Sequence, residues 1–243
     1  MQVLGDFRVL AVQGGPMRAW TARPEGPGPF PGLVLLQEIF GVNVHIRDVA
    51  MRLAAEGFVV VAPELFHRTA PGLELGYDGP DLATGKAHKA AVTAEGFAAD
   101  LDACLRWLDA EPRVAPGPRA CVGFCFGGLL AFRAAADPRI GATASFYGSG
   151  LPTGGPGDAG PALDLAPRIR GRLACFFGGQ DPSIPPEHVS AVRAALQAAR
   201  VDHQLFVYKH AGHGFFCDRR AAYDPPAAAD AWKKLLELIT ALR

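Results

Sequence analysis

A thiol, a carboxylate and an imidazole stand at three places from which they could act together on a carbonyl carbon: Cys125, Asp181 and His213. Cys125 lies in Gly123-Phe124-Cys125-Phe126-Gly127-Gly128, a G-x-C-x-G frame. A nucleophile held on a sharp turn from strand to helix needs neighbours two residues before and two after that carry no side chain, because the backbone folds back on itself there. Gly123 and Gly127 meet that need. A helix starting at residue 126 would aim its N–H groups and its positive dipole end at the sulfur. That favours thiolate and offers the Phe126 N–H to a developing oxyanion. The plain alternative is a small buried cysteine where glycines let a strand and a helix pack closely, and the glycine pattern alone does not separate the two.

The partners separate them. In α/β sheets that carry such an elbow the order along the chain is nucleophile, acid, histidine. Asp181 stands in Gly179-Gln180-Asp181-Pro182, just after the apolar run Leu173 to Phe177. His213 stands in Ala211-Gly212-His213-Gly214-Phe215, after the run Gln204 to Tyr208, with glycines on both sides that let its backbone turn. Taken singly, Asp181 is also a good turn residue and a lone histidine is usually structural. Together, three required residue types occur in the required order, each after a strand-like run. His210 competes for the role of base, but it follows Lys209 without an intervening glycine and is expected at the strand end.

Positioning these groups requires strands that end at a common edge. Apolar runs of strand length alternate with helix-length amphipathic segments, which points to βαβ units around a mostly parallel sheet. Strands are expected at Leu33 to Gln37, Phe58 to Ala62, Arg119 to Gly123, Ala142 to Tyr147, Leu173 to Phe177 and Gln204 to Tyr208. Helices are expected at Val44 to Glu56, Ala90 to Ala110, Phe126 to Ala136, Pro186 to Ala199 and Pro226 to Leu242. Ala70 to Lys89, rich in Gly, Pro and charge, reads as a loop or short helix over one face. Gly148 to Pro161 reads as a loop, with Pro152 to Gly160 flexible in composition.

Composition narrows the function classes. The chain has 243 residues, 49% of them hydrophobic, enough to bury one substantial core, so a single domain over residues 1–243 is expected. Its 24 basic and 24 acidic side chains cancel without long runs of one sign, which argues against a nucleic-acid partner. The start, MQVLGDFRVL, lacks a signal-peptide pattern, and no apolar stretch is long enough for a bilayer, so a cytoplasmic protein without membrane contact is expected. Five cysteines without the paired spacing of a zinc site read as reduced thiols, with Cys104, Cys121 and Cys175 as buried hydrophobes.

With these residues in place, nearly the whole chain resembles the dienelactone hydrolase family, the carboxymethylenebutenolidases. The likeness rests on Gln37-Glu38-Ile39-Phe40-Gly41, Ala62-Pro63-Glu64-Leu65, the elbow, Gly179-Gln180-Asp181-Pro182 and Ala211-Gly212-His213-Gly214-Phe215. It implies an α/β-hydrolase fold with a mostly parallel sheet of about eight strands and helices on both faces. It also implies no metal and no organic cofactor, and hydrolysis of a lactone that is an activated enol ester. It gives Glu38 a role beside the thiol, exchanging hydrogen bonds with it and helping to generate thiolate. Without the resemblance, pairing of Glu38 with an arginine such as Arg47 is the simpler reading. Ile39 would supply the second oxyanion N–H, beside that of Phe126.

One departure concerns substrate. Family members that cleave the lactone hold its carboxylate with arginines, one of them four residues after the histidine, where this chain has Cys217. Arg219 or Arg220 could substitute, and Lys86, Lys89 or Arg68 could contribute from across the cleft, though each could equally be surface charge. Arg219, Phe40 and Phe215 are expected to contact substrate.

The mechanism expected is attack by Cys125, a thioester intermediate, and hydrolysis by water activated through His213 and Asp181. The partner is a small-molecule ester or lactone, and the chain is a monomer or small homo-oligomer. The alternatives are a general carboxylesterase or thioesterase with an apolar pocket formed by Phe40, Phe126, Phe215 and Phe216, or a non-catalytic small-molecule binding protein.

Overall fold

The computed structural model describes residues 2–154 and 160–242, so part of the loop expected over Gly148 to Pro161 lies outside the described residues. The strands are β1 (Val3–Val12), β2 (Gly15–Pro24), β3 (Gly32–Leu36), β4 (Val59–Pro63), β5 (Arg119–Phe124), β6 (Ile140–Phe146), β7 (Arg172–Gly178) and β8 (His203–Tyr208). The α-helices are α1 (Val44–Ala55), α2 (Gly79–Ala90), α3 (Ala94–Ala110), α4 (Phe126–Ala134), α5 (Pro186–Ala198) and α6 (Pro225–Ile239). The strands form one eight-stranded sheet in the order β1-β2-β4-β3-β5-β6-β7-β8. β1, β2 and β4 pair antiparallel, and the remaining neighbours are parallel.

β3, β4 and β5 are buried at every position because both faces of the sheet are covered. In β3, Leu33 and Leu35 join one buried layer with Ile46, Val49 and Leu53 of α1. Val34 and Leu36 point the other way, into a layer with Phe97, Leu101, Leu105 and Leu108 of α3. That alternation is the period-two geometry of a strand, and the spacing on α3 is one face of a 3.6-residue helix. α4 is buried on almost every side, which matches its sequence FGGLLAFRA.

Two parts differ from expectation. The chain opens with a β-hairpin, β1 and β2, in which Asp6 bonds across to Thr21 (2.6 Å) and Arg23 (3.0 Å). The helix expected over 90–110 is α3, which starts four residues later, and the segment expected as a loop or short helix holds α2, a full three turns. Side-chain caps set both starts: Asp78 accepts the Asp81 N–H at 2.9 Å, and Thr93 accepts the Gly96 N–H at 3.0 Å.

The strand order creates the place for a site. From β3 the chain crosses by α1 to β4 on one side, then returns past β3 by α2 and α3 to reach β5 on the other. Connections therefore diverge at the neighbouring carboxyl ends of β3 and β5, which opens a crevice there. Glu38 follows one of these strands and Cys125 the other.

Candidate active site

Cys125 is the residue between β5 and α4, with φ 53° and ψ −113°, a conformation costly for a residue with a side chain. The surroundings over-determine it: its N–H donates to the Phe146 carbonyl (3.0 Å) and its own carbonyl accepts the Leu129 N–H (3.2 Å). A Cβ on Gly123 would collide with the Gly127 carbonyl, so the tight turn depends on that glycine. Cys125 is half-buried, whereas Cys104, Cys121, Cys175 and Cys217 are buried; all five are free thiols.

The loops after β7 and β8 are tied to each other. Gly179 N–H donates to Tyr208 O at 2.8 Å and Gln180 N–H to Ala211 O at 2.9 Å, so the segments bearing Asp181 and His213 form one unit. His213 Nδ1 lies 2.7 Å from Asp181 Oδ2, and the other carboxylate oxygen accepts the Ser183 N–H at 2.8 Å. Asp181 is 5% exposed, so its hydrogen bond to the imidazole is little screened. Burial opposes a charged His213, but the negative sulfur of Cys125 and the hydrogen bonds to Asp181 and Cys125 outweigh it, and its pKa is raised to about 10. With Nδ1 turned to Asp181, Nε2 is the nitrogen left for the sulfur. His210 is exposed in the turn after β8, two residues past the strand end where it was expected.

Glu38 is 1% exposed and does not pair with Arg47, which binds Glu74 at 2.7 Å instead. Its partner is Arg220, whose Nη1 lies 2.8 Å from Oε1, while Oε2 has no hydrogen-bond partner among the described residues. Burial disfavours the Arg220 cation, but Glu38 overrides this and raises its pKa. The backbone beside Glu38 is braced from two directions. Gln37 reaches the segment after β4 by accepting the Leu65 N–H at 3.2 Å, and Gly85 of α2 approaches so closely that a Cβ there would strike the Ile39 carbonyl.

A cavity of about 330 Å³ collects Cys125, His213, Ile39 and Phe40 with Leu82, Lys86 and Lys89 of α2, Ser149, Ser183 and Arg220. Several expected residues are elsewhere. Arg219 points out to α1, 3.0 Å from Asp48, because successive residues of a tight turn diverge, and Arg220 takes the place in the cavity. Phe215 is fully buried behind the site against Tyr147 and Tyr208, rather than facing it. Phe126 and Phe216 also fail to line the cavity, leaving Phe40 as the one phenylalanine of the four that does. Arg68 is held by Asp100 at 2.8 Å. Cys217, where the arginine was expected, is buried and donates to the Tyr77 hydroxyl at 3.3 Å.

Sequence reasoning passed over Tyr147. It follows β6 with φ 37°, its ring meets that of His213 edge-on at 5.2 Å, and its buried hydroxyl has no partner among the described residues. Burial, and then Glu38, push its pKa up. Its position directly after a parallel strand was the available signal.

Comparison with known proteins follows this geometry. The sequence profile described as "Dienelactone hydrolase family" matches residues 17–242. A Synechocystis sp. protein, provisionally named a carboxymethylenebutenolidase, is 42% identical over 90% of this chain and 89% of its own length. An Escherichia coli K12 protein carrying the same provisional name is 36% identical over 97% of this chain and 86% of its own. The crystal structure of a provisionally named dienelactone hydrolase from Klebsiella pneumoniae superposes with a TM-score of 0.84 at 31% identity, covering 99% of each chain.

Proposed function

Because the chain belongs to the dienelactone hydrolase family, whose activity is hydrolysis of carboxylic esters and lactones, we propose that it opens an anionic lactone or activated ester through a thioester on Cys125. The observation that carries this reading is one cavity holding a thiol in a strained elbow and an imidazole that is itself 2.7 Å from a buried carboxylate.

The Cys125 sulfur attacks the carbonyl carbon while the proton resides on His213 Nε2 and Asp181 stabilises the imidazolium through Nδ1. The oxyanion is received by the N–H groups of Ile39 and Phe126, which act from a site already desolvated by the fold. Collapse expels the alkoxide or enolate, which takes the proton from His213, and leaves a thioester. In a lactone this leaving group stays tethered to the acyl chain and could close the ring again. An enolate removes that hazard by becoming a ketone, which fits an enol lactone best. Water then gives one proton to His213 and attacks the thioester carbonyl; collapse breaks the C–S bond, returns the Cys125 thiolate beside the imidazolium, and frees the acid, which loses its proton to solvent as a carboxylate.

Lys86, Lys89 and Arg220 converge on the cavity that holds Cys125. They support a substrate bearing a carboxylate, with Phe40, Leu82 and Ile39 packing its apolar body. Arg220 then has two anions to choose between: substrate and Glu38. When it turns to substrate, the Glu38 carboxylate is released toward the thiol as an additional proton acceptor. This makes Arg220, three residues past Cys217, the stand-in for the missing family arginine.

The test compares a carboxylate-bearing enol lactone with its methyl ester and with a neutral nitrophenyl ester. Turnover of the lactone with kcat/KM well above that of both neutral substrates is expected. A preference for the neutral esters would instead favour the general carboxylesterase reading.

A further inference from the structure

His45, on the first turn of α1, is 3% exposed, yet its imidazole makes no hydrogen bond among the described residues. Nε2 is buried without a partner, and Nδ1 lies 3.6 Å from Asp218 Oδ1, beyond hydrogen-bond range. A buried imidazole left unsatisfied costs free energy, so its retention calls for a ligand or a function. Two further donors stand beside it. One nitrogen of His45, the Cys217 sulfur and a carboxylate oxygen of Asp218 all lie within 4.8 Å of one another. They meet outside the catalytic cavity, and His45 and Asp218 border a separate cavity of about 300 Å³ that also takes in Asp48, Arg52 and Trp232.

We propose that His45, Cys217 and Asp218 form a binding site for a soft divalent cation of the zinc class. The donor set is one imidazole, one thiolate and one carboxylate, a combination that suits zinc and cadmium over magnesium or calcium. Donors around tetrahedral zinc lie roughly 3.5 Å apart, so this group has to contract by about an ångström. Asp218 is free to supply most of that movement, its side chain being 62% exposed. The metal displaces the thiol proton of Cys217 to solvent, and the cavity leaves room for a water as fourth ligand. Arg52, the opposing cation in that cavity, is stacked on Trp232 at 4.0 Å.

The site is coupled to the catalytic cavity by the chain itself. Cys217 N–H donates to Gly214 O at 3.0 Å, next to His213, and Arg220 N–H donates to Cys217 O at 3.1 Å. Drawing Cys217 toward His45 therefore breaks its contact with Tyr77 and pulls on the turn that presents Arg220 to Glu38.

The experiment uses the Cys125→Ala protein, which removes the competing catalytic thiol and makes binding independent of the hydrolase reading. Titration with cadmium, followed by the thiolate-to-cadmium absorption band, and with zinc, followed by calorimetry, is expected to show one equivalent bound. Adding Cys217→Ser should abolish the band and weaken zinc binding by at least the 10–100-fold typical of even outer-shell changes. Asp218→Asn, on the surface and so harmless to folding, should weaken binding while keeping the band. No band in Cys125→Ala, a band that survives Cys217→Ser, or unchanged affinity in Asp218→Asn overturns the proposal.

Discussion

The protonation state of His213 offers the sharpest quantitative handle on the catalytic arrangement. Its pKa of about 10, against an ordinary 6.5, corresponds to about 5 kcal/mol of preference for imidazolium. The side chain is 17% exposed, so solvent screens that preference little. Asp181 contributes through a charge-assisted hydrogen bond of 2.7 Å, worth about 1.5–3 kcal/mol. The remainder, and the cost of burying the cation, falls to the sulfur. Asp181→Asn should therefore lower the midpoint by about one to two pH units, and Cys125→Ala by more. Following the imidazole Cε1 resonance by NMR through a pH titration reads this directly. A wild-type His213 that titrates near 6.5, or an Asp181→Asn shift larger than that of Cys125→Ala, would refute an ion pair between sulfur and imidazole.

Three further outcomes follow from the same geometry. Cys125→Ala should abolish ester hydrolysis with the fold intact by circular dichroism, and iodoacetamide should label Cys125 before the four buried thiols, as read by peptide mass. Arg220→Met should lower kcat/KM for a carboxylate-bearing lactone, relative to its methyl ester, by about 10–100-fold, the worth of one charged hydrogen bond. It also leaves Glu38 buried without its cation, so a fall in Tm of several degrees should accompany it, and Arg220→Lys should recover part of both. Gly85→Val drives a side chain into the Ile39 carbonyl. Displacing that peptide should reduce kcat by about tenfold to a hundredfold while KM changes little, which steady-state kinetics on one ester will decide.

The residues with chemistry were more legible than the residues that surround them. Cys125, Asp181 and His213 could be found because each is framed by glycines or a turn and follows a continuous apolar run, two local signals that reinforce one another. Arg219 and Arg220 could not be told apart. They lie in successive turns after Gly214, where no period dictates which side chain points inward. Over α2 a loop and a short helix could not be told apart, because the helix buries only Gly85 and so carries no apolar stripe. The opening hairpin was missed for a related reason: β1 is an edge strand in which only Leu10 is buried, and β2 packs small residues such as Ala19 and Ala22 in place of a large apolar run. His45 gave no signal, since a single histidine in an amphipathic helix looks the same whether or not it has a partner.

The contact between Gly85 and Ile39 divides α2 into parts with separate freedoms. At one point along the helix the main chains touch, and any side chain there disturbs the Ile39 peptide, which we propose receives the oxyanion. Leu82 and Lys89, one turn to either side, and Lys86, the next residue along, line the cavity with no such restriction. Charge and size at the entrance can therefore be exchanged by substitution on this helix while the Ile39 peptide stays where it is. A lineage bearing this pivot can diversify what it accepts without rebuilding how it reacts, and directed evolution for new esters should begin at these three positions.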